Sequence, residues 1–206
     1  MARRHGWGGD PPADDGEATE RIVAAAVEQM SRNGGADISL ADVAKSLGVI
    51  RQTVYRYFST AEALMKAAAL ASVEHYMARL QRHLLGIHDP AEALTEAVAF
   101  TLENLHRTPQ IGHFLEHPYV EASSVAVTSQ RAAVFGREMV ERFDVDWAAA
   151  GFDDALLEET VEFALRTMQS FFLSPSRPRR SREQLRTYLR RWVGGALDAH
   201  AAALHP

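Results

Sequence analysis

The stretch SLADVAKSLGVIRQTVYRYF, residues 39–58, decides the fold of this chain. Ser39 is followed three residues later by an acid, which is the spacing of a helix capping box, and apolar residues then recur on one helical face. Gly48 ends this short helix, because glycine readily takes the backbone conformations found after a helix. A second short helix is predicted from about Arg51 to Phe58. Two short helices joined by a tight turn form a helix-turn-helix.

The second helix has two different faces. Val54 and Phe58 lie four residues apart and are expected to face the core, which leaves the polar residues of the helix pointing outward. The sequence contains no carboxylate between Val43 and Ala61, although it contains a lysine and two arginines there. Such a surface is suited to contact with an anionic partner.

Double-stranded DNA is the anion that fits this face best. An arginine can donate two hydrogen bonds to guanine and a glutamine can pair with adenine in the major groove. Hydroxyl groups and a lysine near the turn would hold backbone phosphates, which positions the helix without reading sequence. Tyrosines can bond phosphate or contact thymine methyl groups. The predicted DNA-binding residues are Ser39, Lys45, Arg51, Gln52, Thr53, Tyr55, Arg56 and Tyr57.

The composition of the chain excludes several classes of protein. The chain has 206 residues, no cysteine and a net charge of −5, so disulfides, zinc–thiolate sites and thiol catalysis are excluded. No apolar run reaches the roughly 18 residues of a membrane span, and the amino terminus lacks the pattern of a signal peptide. We therefore expect a cytoplasmic protein with no membrane contact and no cofactor.

Helical periodicity dominates the rest of the chain, and no alternating strand pattern occurs. We predict an all-α fold of about nine helices. Residues 1–16, rich in Gly, Pro and Asp, are predicted to be a flexible arm, whose Arg3 and Arg4 are candidates for a minor-groove contact. Residues 17–62 form the predicted DNA-binding domain, and residues 63–206 form a second helical domain. Further helices are predicted at 61–85, from Pro90, after Thr108-Pro109, at 123–143, at 154–173 and from Ser181 to about 203.

The same residues resemble a known family. The run from Ile22 to Leu64 is similar to the DNA-binding domain of TetR-type transcriptional regulators. The likeness rests on a first helix IVAAAVEQM, then SLADVAKSLGV, TVYRYF and EALM. It implies a homodimeric regulator, most simply a repressor, that binds a palindromic operator and releases it on binding a small-molecule effector. It also implies that residues 63–206 hold the effector and dimerise.

Two sets of residues in the second domain are candidates for these roles. Apolar stripes lie on the helix at 154–173 and on the last helix, and two copies packed together would bury both stripes. The arginines between Arg177 and Arg191 are then interpreted as a solvated rim. The predicted dimer residues are Phe163, Met168, Phe171, Leu185, Leu189 and Trp192. The predicted effector-binding residues are Phe100, His113, Phe114, Phe135 and Met139.

The chain departs from the family pattern at two positions. Ile50 stands where a small polar residue usually caps the second helix, and Ala61 stands where a lysine often meets phosphate. Each lost contact is expected to weaken DNA binding and its dependence on salt.

Two alternatives remain open at this stage. His113, Glu116 and His117 spell H-x-x-E-H, the form of an inverted zinc-peptidase motif, which would make the protein a helical metallohydrolase. Pro109 and Pro118 leave little room for a helix there, so we expect no enzyme. The second alternative is a helix-turn-helix dimer without an effector.

Overall fold

A computed structural model describes residues 6–32, 38–104 and 130–204. Most of these residues are helical, with no β-strand among them, and they include nine α-helical segments, so the all-α prediction is confirmed. They fall into two compact units, one extending to Tyr76 and the other beginning at Met77. Within the same ranges, no helix combines the length and the apolarity that crossing a bilayer requires.

The first unit is built from three helices and the start of a fourth. They are α1 (Asp15–Arg32), α2 (Leu40–Ser46), α3 (Arg51–Tyr57) and α4 (Ala61–Leu84). One apolar cluster joins them, formed by Ile22, Ala26, Met30, Ile38, Leu40, Val43, Ala44, Val54, Leu64 and Ala68.

The turn between α2 and α3 follows the predicted chemistry. The side chain of Ser39 accepts a hydrogen bond from the backbone N–H of Asp42, which confirms the predicted cap of α2. Gly48 has a φ of 67°, a conformation that glycine adopts without strain, and the next amide, Val49 N, bonds to Ala44 O at 2.9 Å. Helix α3 therefore begins only five residues after α2 ends.

The segment before α1 differs from the predicted flexible arm. Trp7–Gly9 forms a 3-10 turn, and Trp7 N donates to Leu47 O at 2.9 Å while its ring packs on the core of the first unit. Arg21 donates to both the carbonyl and the carboxylate of Asp10. A single tryptophan thus anchors a stretch whose Gly, Pro and Asp content is typical of flexible chain. Arg3 and Arg4 lie outside the described residues.

The second unit is organised around α5 (Pro90–Asn104). Asp89 caps this helix, as predicted, by accepting from Glu92 N at 2.7 Å. Most of its residues are buried, because its many alanines allow neighbouring helices to approach from several sides. Those neighbours are α7 (Asp154–Leu173), α8 (Arg182–Leu189), the turn that follows α8, and α9 (Gly195–Leu204).

Helix α6 (Gln130–Glu141) packs against α7 through a glycine. A Cβ built on Gly136 would lie 2.5 Å from Val161 Cγ1, so the two helices touch where α6 has no side chain. After α6, Trp147 donates from its ring nitrogen to Val140 O at 3.1 Å and meets Phe152 edge-on at 5.2 Å. Residues 123–129 of the predicted 123–143 helix lie outside the described residues.

The last predicted helix is interrupted. Ser181 and Gln184 form the predicted capping box of α8, but residues Arg190–Gly194 then make one π-helical turn before α9 begins. The wider turn places Gly194 against α5, where an added Cβ would lie 3.1 Å from Thr95 Oγ1. Gly194 therefore allows a close contact between this turn and α5 within the same unit.

Candidate nucleic-acid interface

Helix α3 presents a polar face to solvent, as its sequence predicts. Val54 is fully buried, whereas Arg51, Gln52 and Arg56 are exposed and Tyr55 keeps half of its surface accessible. Arg51 makes no ion pair and no hydrogen bond with any residue that the structure describes. Its guanidinium is therefore free to bind another molecule.

The end of α3 carries a contact that sequence reasoning missed. Asp15, in the first turn of α1, lies 41 residues before Arg56, and its Oδ1 accepts from Arg56 Nη2 at 2.8 Å and from Tyr57 Oη at 2.6 Å. Arg56 also donates to the Tyr57 hydroxyl and lies 4.7 Å from the centre of its ring. The sequence has no acidic residue between 43 and 61, but in the folded chain Asp15 lies beside Arg56 and Tyr57, near the end of this stretch.

The electrostatics of these three groups follow from their contacts. The hydrogen bond from Tyr57 and the charge of Arg56 hold the pKa of Asp15 below its usual value. The same hydrogen bond, aided by burial, raises the pKa of Tyr57. Arg56 and Tyr57 therefore already bind a carboxylate in the free protein. Arg51 has no such partner among the described residues.

The predicted phosphate-binding residues Lys45, Ser39 and Thr53 differ in their exposure to solvent. Lys45 is exposed near the end of α2, whereas Ser39 and Thr53 are half-buried. The Ser39 oxygen already accepts the capping hydrogen bond at 3.4 Å, and its O–H remains available to donate to a phosphate.

The two departures from the family pattern are both at the surface. Ile50 occupies the position before α3 with 69% of its surface exposed, and its side chain makes no capping hydrogen bond. Ala61 is exposed at the start of α4, where Thr60 Oγ1 accepts from Ala63 N at 3.1 Å. Helix α3 therefore lacks a side-chain cap, and α4 has one.

The predicted effector residues are only partly described. Phe100 is half-buried on α5 and stacks on His83, with ring centres 4.7 Å apart. Phe135 is half-buried on α6, while Met139 is 7% exposed and belongs to the core. His113 and Phe114 lie outside the described residues, as do Glu116 and His117 of the H-x-x-E-H sequence. No metal-binding group of three or more His, Cys, Asp or Glu residues occurs in the described part of the chain.

The predicted dimer residues divide into two groups. Met168 and Leu189 are buried within the unit itself, at 5% and 0% exposure. Phe163 and Trp192 are exposed, at 46% and 61%, and Phe171 and Leu185 are half-buried. Phe163, Phe171, Leu185 and Trp192 therefore remain candidates for a dimer contact. Met168 and Leu189 stabilise the fold of the unit itself.

Comparison with known proteins agrees with this geometry. Residues 22–68 match the model of bacterial regulatory proteins of the tetR family, a span that contains α2, α3 and the turn between them. This part of the chain is a DNA-binding domain of the TetR family. The protein is a DNA-binding transcriptional regulator of the helix-turn-helix type.

Two relatives of known description are also HTH-type transcriptional regulators. The uncharacterised HTH-type transcriptional regulator Rv1255c of Mycobacterium tuberculosis is 26% identical over 168 residues, which cover 78% of this chain and 77% of the relative. The HTH-type transcriptional regulator UidR of Escherichia coli K12 is 27% identical over 126 residues, covering 55% of this chain and 64% of UidR.

Two solved structures share the TetR fold. A tetR-family regulator from Streptomyces coelicolor aligns over 93% of this chain and 84% of its own, with a TM-score of 0.61 and 18% identity. The repressor AlkX from Dietzia aligns over 88% of this chain and 96% of its own, with a TM-score of 0.55 and 22% identity.

Proposed function

We propose that this regulator is a homodimeric repressor, which binds a palindromic operator through α3 and leaves it when a small-molecule effector binds the second domain. The observation that carries the proposal is the outward face of α3. Arg51 and Gln52 are exposed there and Tyr55 is half exposed, with no acid in the sequence between residues 43 and 61.

Base reading is assigned to the first turns of α3. In helix-turn-helix proteins the amino-terminal residues of the second helix contact base edges in the major groove. Of the two arginines on α3, Arg51 has no partner in the described part of the chain, whereas Arg56 pairs with Asp15. Arg51 can therefore donate two parallel N–H hydrogen bonds to O6 and N7 of a guanine. Gln52 beside it has the complementary groups for adenine.

Phosphate binding is assigned to residues around the turn. Lys45 is exposed and unpaired within the described residues, and a lysine there would neutralise a phosphate whatever the base sequence. The hydroxyls of Ser39 and Thr53 would add neutral contacts. Arg56 and Tyr57 would join them only after releasing Asp15.

Dimerisation is assigned to the exposed apolar side chains of α7 and of the π-helical turn. Phe163, Leu173 and Trp192 are each more than 40% exposed, so their apolar surface is available for burial by a partner. A second copy packed on the same surface would bury both sets in an isologous interface, which pairs the two DNA-reading helices by two-fold symmetry. A two-fold dimer matches a palindromic operator.

Repression and release follow from the same arrangement. A dimer bound over a promoter would block transcription, and AlkX, which shares the fold, is a repressor. An effector held among residues such as Phe100, Phe135 and Met139 would favour a state whose reading helices no longer fit the half-sites. A coupling free energy of about 1–3 kcal/mol is enough for such release. Because its target is chromosomal DNA, we place the regulator in the cytoplasm.

Footprinting of the purified protein on its own upstream DNA, at two salt concentrations, tests the DNA-binding part. We expect a protected palindromic site whose occupancy falls as salt rises. Sedimentation of the wild-type protein and a Phe163→Ser, Trp192→Ser variant tests the dimer, with exposed Leu85→Ser as the control that should stay dimeric. Protection without two-fold symmetry would contradict the palindromic operator. An unchanged dimer in the double variant would contradict the assigned dimer interface.

The effector part has a separate test. Small molecules that raise the melting temperature of the protein should include one that also abolishes the footprint. A protein that no stabilising compound removes from DNA would instead be a helix-turn-helix dimer without an effector.

A further inference from the structure

Ile50 is an unusual residue for its position in the fold. It directly precedes α3, with φ −76° and ψ 150°, the extended conformation of a helix N-cap. Six other helices, α1, α2, α4, α5, α7 and α8, have a side chain at that position that accepts a backbone N–H from the first turn. These side chains belong to Asp14, Ser39, Thr60, Asp89, Asp153 and Ser181. Isoleucine cannot accept such a hydrogen bond.

The side chain of Ile50 is also unused for packing. Its neighbour Val49 packs on the core of the first unit and Val54 is completely buried, but 69% of Ile50 remains exposed. The free protein thus gains neither a cap nor a buried side chain from this residue. At this position a polar side chain would stabilise α3 by capping it, so an isoleucine that forgoes the cap is explained if it becomes buried in a complex.

DNA is the partner that meets this part of the protein. Ile50 is adjacent to Arg51 and Gln52, whose side chains are exposed and polar, and the sequence carries no acid between residues 43 and 61. Its position at the amino end of α3 is the position from which helix-turn-helix proteins reach base edges.

One group in the major groove matches an aliphatic side chain. Phosphates and the polar base edges require hydrogen-bond partners, whereas the C5 methyl of thymine is the apolar feature of the groove. We propose that Ile50 reads a thymine in each half-site by apolar contact with that methyl group. This assignment rests on the DNA-binding function and adds a specificity-determining residue to it.

The contact can be isolated by removing one methyl group from the DNA. Binding sites are first selected from a random duplex library with the full-length protein. Each thymine of the selected site is then replaced singly by uracil, which lacks only the methyl. We expect one replacement in each half-site to weaken wild-type binding about three- to fivefold, the effect of losing one methyl from an apolar contact. The other replacements should leave affinity nearly unchanged.

Two variants tie the effect to this side chain. Ile50→Val keeps a branched aliphatic group and should retain the preference for thymine over uracil. Ile50→Ser removes the apolar contact while supplying a good N-cap, so it should fold at least as stably and bind both bases equally. Leu85→Ser, at a residue 74% exposed in the second unit, is the matched control and should keep the wild-type preference.

The possible failures point to different conclusions. A site at which no thymine-to-uracil replacement matters, or an Ile50→Ser variant as sensitive as the wild type, would overturn the assignment but leave DNA binding intact. A change in oligomeric state in Ile50→Ser without a change in base preference would also overturn it, in favour of a contact between copies. A library from which no sequence is enriched would overturn the assignment together with specific DNA binding.

Discussion

Tyr57 donates a hydrogen bond from its hydroxyl to the carboxylate of Asp15, with the two oxygens 2.6 Å apart. The contact joins the last residue of α3 to the first residue of α1. The same carboxylate oxygen accepts from Arg56 at 2.8 Å. A carboxylate thus holds two side chains of α3 in the way that a phosphate would, and we expect it to compete with DNA for them.

Replacement of Asp15 by asparagine should therefore strengthen DNA binding. Asparagine keeps the size of the side chain but removes the negative charge that holds Arg56. The contact that Arg56 must break before it can bind DNA is then weaker. We expect affinity to rise about two- to fivefold at low salt, a modest effect because the contact is exposed to solvent. Fluorescence anisotropy with a labelled duplex, measured over a range of salt concentrations, reports both the affinity and its salt slope.

Glu20→Gln is the matched control for Asp15→Asn. Glu20 is an exposed acid on the same helix, so its replacement removes the same charge without touching α3. It should change affinity much less. Equal gains in both variants would mean that net charge, rather than release of Arg56 and Tyr57, limits binding.

The pH dependence of this contact follows from two opposite pKa shifts. The pKa of Asp15 is lowered, chiefly by Tyr57 and then by Arg56, so the contact is complete above the ordinary value of about 3.9 and is lost as pH falls through the lower value in the folded protein. The pKa of Tyr57 is raised by Asp15, so its contribution is complete below about 10 and is lost as pH rises through the higher folded value.

A Tyr57→Phe substitution tests the first of these shifts. It removes the hydrogen bond that is the main cause, so the pKa of Asp15 should rise toward its ordinary value. The chemical shift of the Asp15 carboxyl carbon, followed by NMR as pH is lowered, measures this directly. Tyr55→Phe changes an exposed tyrosine that does not contact Asp15 and should leave the titration unaltered. An unchanged curve in Tyr57→Phe would contradict the geometry.

The helix-turn-helix was predictable because its signals are local. The cap at Ser39, the glycine at 48 and the inward spacing of Val54 and Phe58 all act within one or two turns of helix. Exposure of Arg51, Gln52 and Tyr55 follows directly from that spacing.

The missed features depend on residues that are distant in sequence. Asp15 meets Tyr57 across 42 positions, and Trp7 bonds to Leu47 across 40, so no short window of sequence contains either contact. The π-helical turn before Gly194 was missed for the same reason, since the neighbouring Thr95 lies almost a hundred residues earlier. Local patterns specify helices, and the side chains that join them depend on the assembled fold.

Substitution of Arg51 and of Lys45 should have different consequences for DNA binding. Arg51→Ala is expected to cost about 1–3 kcal/mol at the correct site and to relax the base preference at one position. Lys45→Ala should weaken all sequences alike and reduce the salt slope by about one. Binding of both variants to a selected site, single-base variants of it and unrelated DNA separates the two patterns. Uniform weakening in Arg51→Ala would remove it from base reading.

Loss of Arg186 should destabilise the second unit. Its guanidinium bonds to Glu96 at 2.8 Å and also to Glu103, and these carboxylate side chains are only 18% and 13% exposed. Burial alone would lower the pKa of Arg186, but the two carboxylates outweigh that effect and raise it. Arg186→Ala removes the guanidinium that pairs both acids and leaves Glu96 with His83 at 3.1 Å and Glu103 with Arg182 at 3.9 Å. We expect a loss of about 2–3 kcal/mol, below the roughly 3–5 of a fully buried pair.

Chemical denaturation measures that loss, with Arg182→Ala as the control. Arg182 approaches Glu103 only at 3.9 Å and is 75% exposed, so its removal should change the free energy of unfolding by less than about 0.5 kcal/mol. If the two variants are equally stable, the Arg186 contacts do not support the fold.

Two glycines in helices should respond to alanine in opposite directions. At Gly136 a Cβ would lie 2.5 Å from Val161 Cγ1, and the branched side chain of valine cannot turn aside easily, so Gly136→Ala should destabilise the protein by about 1–3 kcal/mol. At Gly195 an added Cβ meets nothing within 4 Å and the backbone is already helical, so alanine should stabilise by roughly 0.5–1 kcal/mol. Thermal and urea unfolding compare the variants. Val161→Ala should cost less stability in Gly136→Ala than in the wild type, because there it also removes the clashing methyl group. A Gly136→Ala protein as stable as the wild type would show that α6 and α7 do not touch at this residue.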